Sequence, residues 1–137
     1  MWWIYALLSA LFAALTAIFA KVGVKNVNAD LATAIRTVVI LLIAWSIAFF
    51  RGETKGIAFL SKHNLIFLIL SGIATGLSWI FYFKALQIGK VSQVAPVDKL
   101  SVALAILLSV LFLGEALSLK TAIGALLIIS GTVVLIF

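Results

Sequence analysis

Five long apolar segments constrain this chain more than any other feature of its sequence. A helix needs about 20 mostly apolar residues to cross the hydrocarbon core of a bilayer. Such segments occur at about residues 2–22, 30–50, 64–84, 91–113 and 116–137. Hydrophobic residues make up 66% of the chain and charged residues 10%, whereas soluble domains are about 45–50% apolar and about 25% charged. We therefore predict an all-α integral membrane protein, a bundle of five transmembrane helices that forms one membrane domain over residues 1–137.

The connections between the segments carry most of the charges and turn-forming residues. Residues 51–63 form the longest connection, and their composition suits a short segment at the membrane interface. Gly114 and Glu115 predict a tight turn, so that the last two helices form an antiparallel hairpin. The N-terminal segment lacks the basic start of a signal peptide and exceeds its usual apolar run of about 7–15 residues, so we expect it to be retained as the first span.

The charge balance argues against a nucleic-acid partner. The formal net charge is +6, which in a soluble protein would suggest nucleic acid. Here the basic residues are spread thinly between apolar runs, and Lys and Arg that meet anionic lipid at helix ends explain the charge. The chain has no cysteine, and His63 has no partner at metal-ligand spacing. Because no motif for hydrolysis, phosphate binding or metal binding is present either, we expect no enzyme activity, no metal and no cofactor.

Polar side chains inside the third segment share one helical face. Ser71, Thr75, Ser78 and Tyr82 follow steps of four, three and four residues, which is the spacing of a single face. Such a stripe either lines a polar route or lets helices pack closely. For the hydroxyl groups alone, close packing is the favoured interpretation.

Arg36 is the most informative charge because it interrupts the second segment. It lies about 7–8 Å into the apolar run at about 1.5 Å per residue. A charged Arg near the bilayer centre costs about 2.5–3.5 kcal/mol on insertion scales, although a long side chain can snorkel to the interface. Two interpretations stay open: Arg36 anchors the helix to lipid phosphate, or it lines a cavity and orients an anionic or zwitterionic solute.

Three further charges lie near the ends of segments. Lys84 at the end of the third segment is expected to be a snorkelling anchor. Asp98 and Lys99 come early in the fourth segment, after Pro96. They either neutralise each other or other buried charges, or they are ordinary interfacial residues.

Residues 82–137 carry motifs of a known family. The Ala85-Leu86 pair, the Leu113-Gly114-Glu115 turn and the closing stretch from Gly124 to Gly131 resemble the EamA domain of the drug/metabolite transporter superfamily. The closing stretch is also similar to the dimerisation helix of small multidrug resistance proteins. Lys21 and Arg36 extend the resemblance more loosely over the first half. Typical members have ten helices in two halves, and this chain resembles one half; the proline expected in the fourth helix aligns with Val102.

The resemblance implies a secondary transporter of small metabolites that works by alternating access between two packed five-helix units. We expect substrate-binding residues at Arg36, Thr37, Thr75, Ser78, Tyr82, Asp98 and Lys99. We expect a dimer interface at Gly124, Leu127, Ser130 and Gly131. The expected partners are a small-molecule substrate, the lipid bilayer and a second copy, in an antiparallel homodimer of dual topology in the cytoplasmic (inner) membrane. The alternative is a non-transporting scaffold or accessory subunit of another membrane complex, including a lipid flippase.

Overall fold

The computed structural model describes residues 1–137, and all of its regular elements are helices. The elements are α1 (Trp2–Gly23), α2 (Ala29–Phe50), a 3-10 helix (Glu53–Phe59) that we call the interfacial helix, α3 (Lys62–Ile88), α4 (Val91–Asp98), α5 (Leu100–Leu113) and α6 (Leu119–Ile136). Five stretches are long and apolar enough to cross a membrane, with α4 and α5 together forming the fourth. The prediction of an all-α membrane protein with five transmembrane helices is confirmed.

The helix ends depart from the predicted ones at two places. α3 continues to Ile88 because the residues after its predicted end, Ala85, Leu86 and Gln87, all favour helix. α6 begins at Leu119, and residues 114–118 replace the predicted two-residue turn. Gly114 ends α5 with a φ of 66°, a conformation that glycine adopts without strain. Ser118 then caps α6 by accepting a hydrogen bond of 3.1 Å from the Thr121 N–H.

The fourth span is broken after its first eight residues. α4 ends at Asp98 and α5 begins at Leu100. Pro96 lacks a backbone N–H and disturbs helical hydrogen bonding around it, and the Lys99 N–H donates to the carbonyls of Ala95 (3.3 Å) and Pro96 (3.0 Å). The buried Thr132 hydroxyl of α6 lies 2.8 Å from the Ile128 carbonyl of its own helix and 3.2 Å from the Pro96 carbonyl. Its single proton is shared between the two carbonyls, so α6 contributes the longer branch of a forked hydrogen bond to the broken segment.

The chain forms two compact units. The α2–α3 unit comprises Phe19–Gln87, and the α4–α6 unit comprises Met1–Ile18 with Ile88–Phe137. In the α2–α3 unit, the most deeply buried side chains are Phe83 and Leu86, near the end of α3. In the α4–α6 unit, α6 packs against both α4 and α5. Most other large apolar side chains are exposed on the protomer, as expected for a surface that meets lipid or another chain.

Candidate functional site

The start of α2 is positioned by a side-chain cap. Asn28 accepts a hydrogen bond of 2.8 Å from the Asp30 N–H and a longer one from the Leu31 N–H. Such a cap satisfies donors that the first turn of a helix leaves free. One turn further on, the buried Thr33 hydroxyl donates to the Ala29 carbonyl at 2.8 Å. These contacts fix the first turns of α2, from which Arg36 projects.

Polar side chains also fix the end of α3. Lys21 Nζ donates a hydrogen bond to the Leu86 carbonyl, and the Gln87 amide donates to the Val24 carbonyl at 3.3 Å. A cation at a helix C-terminus satisfies a free carbonyl and interacts favourably with the helix dipole. The last turn of α3 is thereby held against the end of α1 and the residues that follow it.

Lys84, expected to be a snorkelling anchor, forms an ion pair. Its Nζ lies 3.3 Å from Asp30 Oδ1, and both side chains are about half exposed. An exposed pair of this kind contributes little to stability, about 0–1 kcal/mol. It joins the first turn of α2 to the last turns of α3.

The Arg36 guanidinium lies over two aromatic rings of α3. Its Cζ is 4.4 Å from the Trp79 ring centroid and 4.9 Å from the Phe83 ring centroid. A spacing of four residues places these two rings one above the other on α3. A cation within about 6 Å of a ring centroid gains about 0.5–2 kcal/mol, depending on how far it is desolvated. The two rings therefore direct the Arg36 side chain along α3.

Arg36 has no acidic partner in the protein. Ion pairs join Lys84 to Asp30 and Lys99 to Asp98, and Arg36 takes part in neither. It lies seven residues beyond the first residue of α2, about 10 Å along the axis, and is half buried. The rings contact the guanidinium, but they accept none of the hydrogen bonds that its N–H donors can make. No carboxylate of the protein therefore neutralises the charge of Arg36.

The predicted hydroxyl-bearing residues lie in the same unit as Arg36. The Thr37 hydroxyl donates to the Thr33 carbonyl and the Thr75 hydroxyl to the Ser71 carbonyl, both at 2.8 Å. Ser78 is exposed and Tyr82 half buried. At 3.6 residues per turn, Thr75, Trp79 and Tyr82 fall within about 60° of one another around α3. The hydroxyl stripe therefore borders the rings that hold Arg36.

Asp98 and Lys99 belong to the α4–α6 unit and lie at the junction of α4 and α5. Lys99 Nζ is 3.5 Å from Asp98 Oδ2, so the two opposite charges form an ion pair. Asp98 is half buried and Lys99 is exposed. An anionic solute at Lys99 would have to compete with the carboxylate of Asp98.

The rings of Trp79 and Phe83 were absent from the sequence prediction. Hydropathy treats both as ordinary span residues, and the chain has 4 Trp and 10 Phe. One available signal was that Trp79 lies four residues after Thr75, beside the polar stripe. That signal becomes specific only once the side chain facing it, Arg36, is known.

The predicted dimer interface on α6 is accessible in the protomer. A Cβ atom at Gly124 or Gly131 would meet no other atom within 4 Å. The Leu127 side chain is 67% exposed, and Ser130 is also exposed. The interface stays a prediction, and no contact inside the protomer occupies this face at the two glycines.

Similarity to known proteins covers the whole chain. Residues 1–137 match the family described as "EamA-like transporter family". The chain is 48% identical over 134 residues, 98% of its length and 95% of the relative's, to a Sinorhizobium sp protein named "Uncharacterized transporter in cobO 3'region". It is 35% identical over 81 residues, 59% of each chain, to an uncharacterized protein of Methanocaldococcus jannaschii. No solved structure gives a significant match. The chain is thus a multi-pass membrane protein with a transporter role, and it belongs to the EamA-like transporter family.

Proposed function

We propose that this protein is a secondary transporter that moves a small carboxylate-bearing metabolite across the cytoplasmic membrane by alternating access, as a homodimer. The observation that carries the proposal is Arg36. Its guanidinium lies within a span, is held over Trp79 and Phe83 and has no acidic partner. Ionisable residues inside spans are costly and commonly mark the route of a solute.

The chemistry of this site favours a carboxylate. A guanidinium presents its N–H donors in a planar fork that matches two carboxylate oxygens, and such paired hydrogen bonds are stronger than neutral ones. A solute carboxylate would supply the counter-charge that the α2–α3 unit does not provide to Arg36. Aromatic contacts keep the cation in place while the solute comes and goes.

The hydroxyl groups favour a solute that also carries a donor, such as an amino acid. The protons of Thr37 and Thr75 are used within their own helices. A hydroxyl oxygen that donates its only proton retains two lone pairs and can still accept. These oxygens, with Ser78 and Tyr82, suit the ammonium or hydroxyl group of a solute whose carboxylate binds Arg36. Asp98 and Lys99 remain part of the proposed site on the basis of sequence.

Alternating access requires two packed units that rock around a site, commonly related by an inverted repeat. One chain of this length supplies five spans, which is half of a ten-helix transporter. We therefore propose that a second, inverted copy supplies the other half. Gly124, Leu127, Ser130 and Gly131 of α6 would form the contact between the two copies.

Purified protein in liposomes tests the proposal. We would record solute-driven currents or uptake for amino acids, organic acids and simple amines. Solutes with a carboxylate should be transported and amines without one should not. Arg36→Ala should reduce transport on the order of 100-fold, because a charge-assisted pair contributes about 1.5–3 kcal/mol. Arg36→Lys should restore only part, since ammonium lacks the planar fork.

Lys90→Ala is the matched control, because Lys90 is an exposed cation in a connection and its loss removes one positive charge, as Arg36→Ala does. Full transport by Arg36→Ala would contradict the proposal and leave Arg36 as a lipid anchor. Transport of amines alone would exclude the carboxylate class. If wild-type protein moves none of these solutes, the alternative of an accessory subunit of another membrane complex, including a flippase, is favoured.

A further inference from the structure

A groove of about 260 Å³ lies between the last turns of α2 and the interfacial helix. Its lining residues are Ala44, Trp45, Ala48, Glu53, Thr54 and Ile57. Ala44 and Ala48 lie one helical turn apart on the same face of α2, and their small side chains form the floor. The wall along α2 is apolar, and the polar groups come from the first turn of the interfacial helix.

The backbone places this groove at the membrane boundary. α2 ends at Phe50, and Gly52, with a φ of 72°, lets the interfacial helix turn back toward α2. Trp45 lies five residues before the end of α2, about 7–8 Å along the axis. Tryptophan is enriched at this depth, where headgroups meet the hydrocarbon. The groove therefore extends from the headgroup layer into the hydrocarbon.

The charges beside the groove are unpaired within the protein. Glu53 forms no ion pair, although Arg51 and Lys55 are its near neighbours in sequence, because the two ion pairs of the structure are elsewhere. A carboxylate without an ion-pair partner, on a residue that borders an almost wholly apolar groove, suits a ligand with a cation joined to an apolar tail. The flanking Arg51 and Lys55 suit an anion attached to the same ligand.

A phospholipid with a primary ammonium headgroup combines these three features. It has an acyl chain for the apolar wall, a phosphate for the basic residues and an ammonium that donates hydrogen bonds to a carboxylate. A glycerol headgroup offers hydroxyl donors but no positive charge to Glu53. A choline headgroup carries a positive charge but no N–H donor. Charge complementarity therefore selects among lipids that are otherwise alike.

We propose that this groove is a binding site for one phosphatidylethanolamine-type lipid. Its acyl chain lies along Ala44, Ala48 and Ile57, its ammonium donates to Glu53, and its phosphate lies near Arg51 and Lys55. The site is near the opposite end of α2 from Arg36 and does not depend on which solute is transported. It would anchor the interfacial helix to the bilayer.

Native mass spectrometry of the detergent-purified protein tests this site. Phosphatidylethanolamine, phosphatidylcholine and phosphatidylglycerol with identical acyl chains would be offered at equal concentrations. The wild type should retain phosphatidylethanolamine about fivefold or more over the other two, as expected for one partly exposed charge-assisted hydrogen bond. Glu53→Gln should remove this preference. Glu115→Gln, which changes the exposed glutamate of another connection, should keep it.

Filling the groove gives a second, independent measurement. Ala48→Leu should lower retention of all three lipids several-fold, with helix content checked by circular dichroism and monodispersity by gel filtration. If Glu53→Gln cannot be purified, lipid retention by Ala48→Leu and the headgroup preference of the wild type test the proposal. Equal retention of the three lipids by the wild type, or a preference that survives in Glu53→Gln, would overturn the proposal. Stronger retention of phosphatidylglycerol would also overturn it, because the basic residues alone would then select the lipid.

Discussion

Arg36 lies between two environments that act differently on its charge. The hydrocarbon opposes a charged Arg by about 2.5–3.5 kcal/mol near the bilayer centre, and each of the two rings of α3 returns about 0.5–2 kcal/mol. The rings offset much of the cost of transferring the charge, but they accept none of the hydrogen bonds of the guanidinium. Those hydrogen bonds have to be made to water, lipid phosphate or a bound solute. We conclude that Trp79 and Phe83 orient the guanidinium rather than neutralise it.

Trp79 should therefore affect how tightly a solute binds. Trp79→Leu should raise the KM for a carboxylate solute about 2- to 30-fold, which is the equivalent of about 0.5–2 kcal/mol of lost cation–π energy. The maximal rate should change little if the ring positions Arg36 equally in the ground and transition states. Trp79→Phe should retain most of the affinity. Initial rates of uptake into liposomes over a range of solute concentrations give both constants.

Trp3→Leu is the matched control for this prediction. Trp3 lies in the first turn of α1 and its side chain is 52% exposed, so its loss should leave the KM unchanged. An unchanged KM in Trp79→Leu would show that Arg36 needs no ring to bind solute. An equal rise in both variants would point to a general effect of removing an indole.

At the scale of the elements, hydropathy predicted the number of spans but not the break in the fourth. A span needs about 20 apolar residues to cross a bilayer, so each span is visible in the sequence as a long apolar segment. The break between α4 and α5 involves one residue, Lys99, in an otherwise apolar run, and an average over the run conceals it. The partners of Arg36 were hidden for a related reason, since periodicity shows which residues share a face but not which helix that face meets.

The hydrogen bond from α6 to the broken span gives a prediction about stability. Thr132→Val keeps the shape of the side chain but removes a hydroxyl that lies 2.8 Å from the Ile128 carbonyl of its own helix and 3.2 Å from the Pro96 carbonyl. The free energy of unfolding should fall by about 0.6–1.5 kcal/mol, the range for single hydrogen bonds between membrane helices. Unfolding by denaturant in a mild detergent would measure this loss.

Thr16→Val is the comparison for Thr132→Val. The Thr16 hydroxyl donates at 2.8 Å to the Phe12 carbonyl of its own helix. The Phe12 residue remains helical when this hydroxyl is removed. We expect a clearly smaller loss of stability than for Thr132. If both variants lose the same amount, the contact with the Pro96 carbonyl contributes nothing of its own.

For the whole molecule, the predicted contact between two copies depends on the small residues of α6. Gly124 and Gly131 are seven residues apart, so they lie on one face about two turns apart. Gly124→Leu and Gly131→Leu should each weaken the dimer, because close packing is the main source of helix association in lipid. A side chain at either position starts in free space within the protomer, so the effect should report on association rather than on folding.

Cross-linking in mild detergent, with molar mass from light scattering, would measure this association. Gly72→Leu on α3 is the control, since a Cβ there also meets no atom within 4 Å. Full dimer in both α6 variants would place the interface elsewhere. Loss of dimer in Gly72→Leu as well would show that added bulk on any span disturbs assembly.

The distribution of basic residues bears on how the two copies insert. Five spans place the two termini on opposite sides of the membrane, so a second half that copies an inverted repeat must enter the other way up. The side of the N-terminus carries Arg51, Lys55, Lys62 and Lys120, and the opposite side carries Lys21, Lys25, Lys90 and Lys99. Lys84 and Arg36 lie nearer the second side, so the difference is at most six against four. Positive charge on short connections sets the orientation in which a membrane protein inserts. A difference of at most six basic residues against four favours neither orientation strongly.

We therefore predict dual topology, with each orientation present in the same membrane. Because the chain has no cysteine, single cysteines can be placed at Trp2 and at Gly23, the two ends of α1, without changing the charge bias. An impermeant thiol reagent applied to intact cells should label part of the molecules of each variant, since each end of α1 faces outward in one of the two orientations. Adding two lysines to residues 114–118 should bias insertion toward one orientation and make the labelling of the two variants unequal. Complete labelling of one variant and none of the other, before lysines are added, would show a single orientation and require the second unit to pair in parallel.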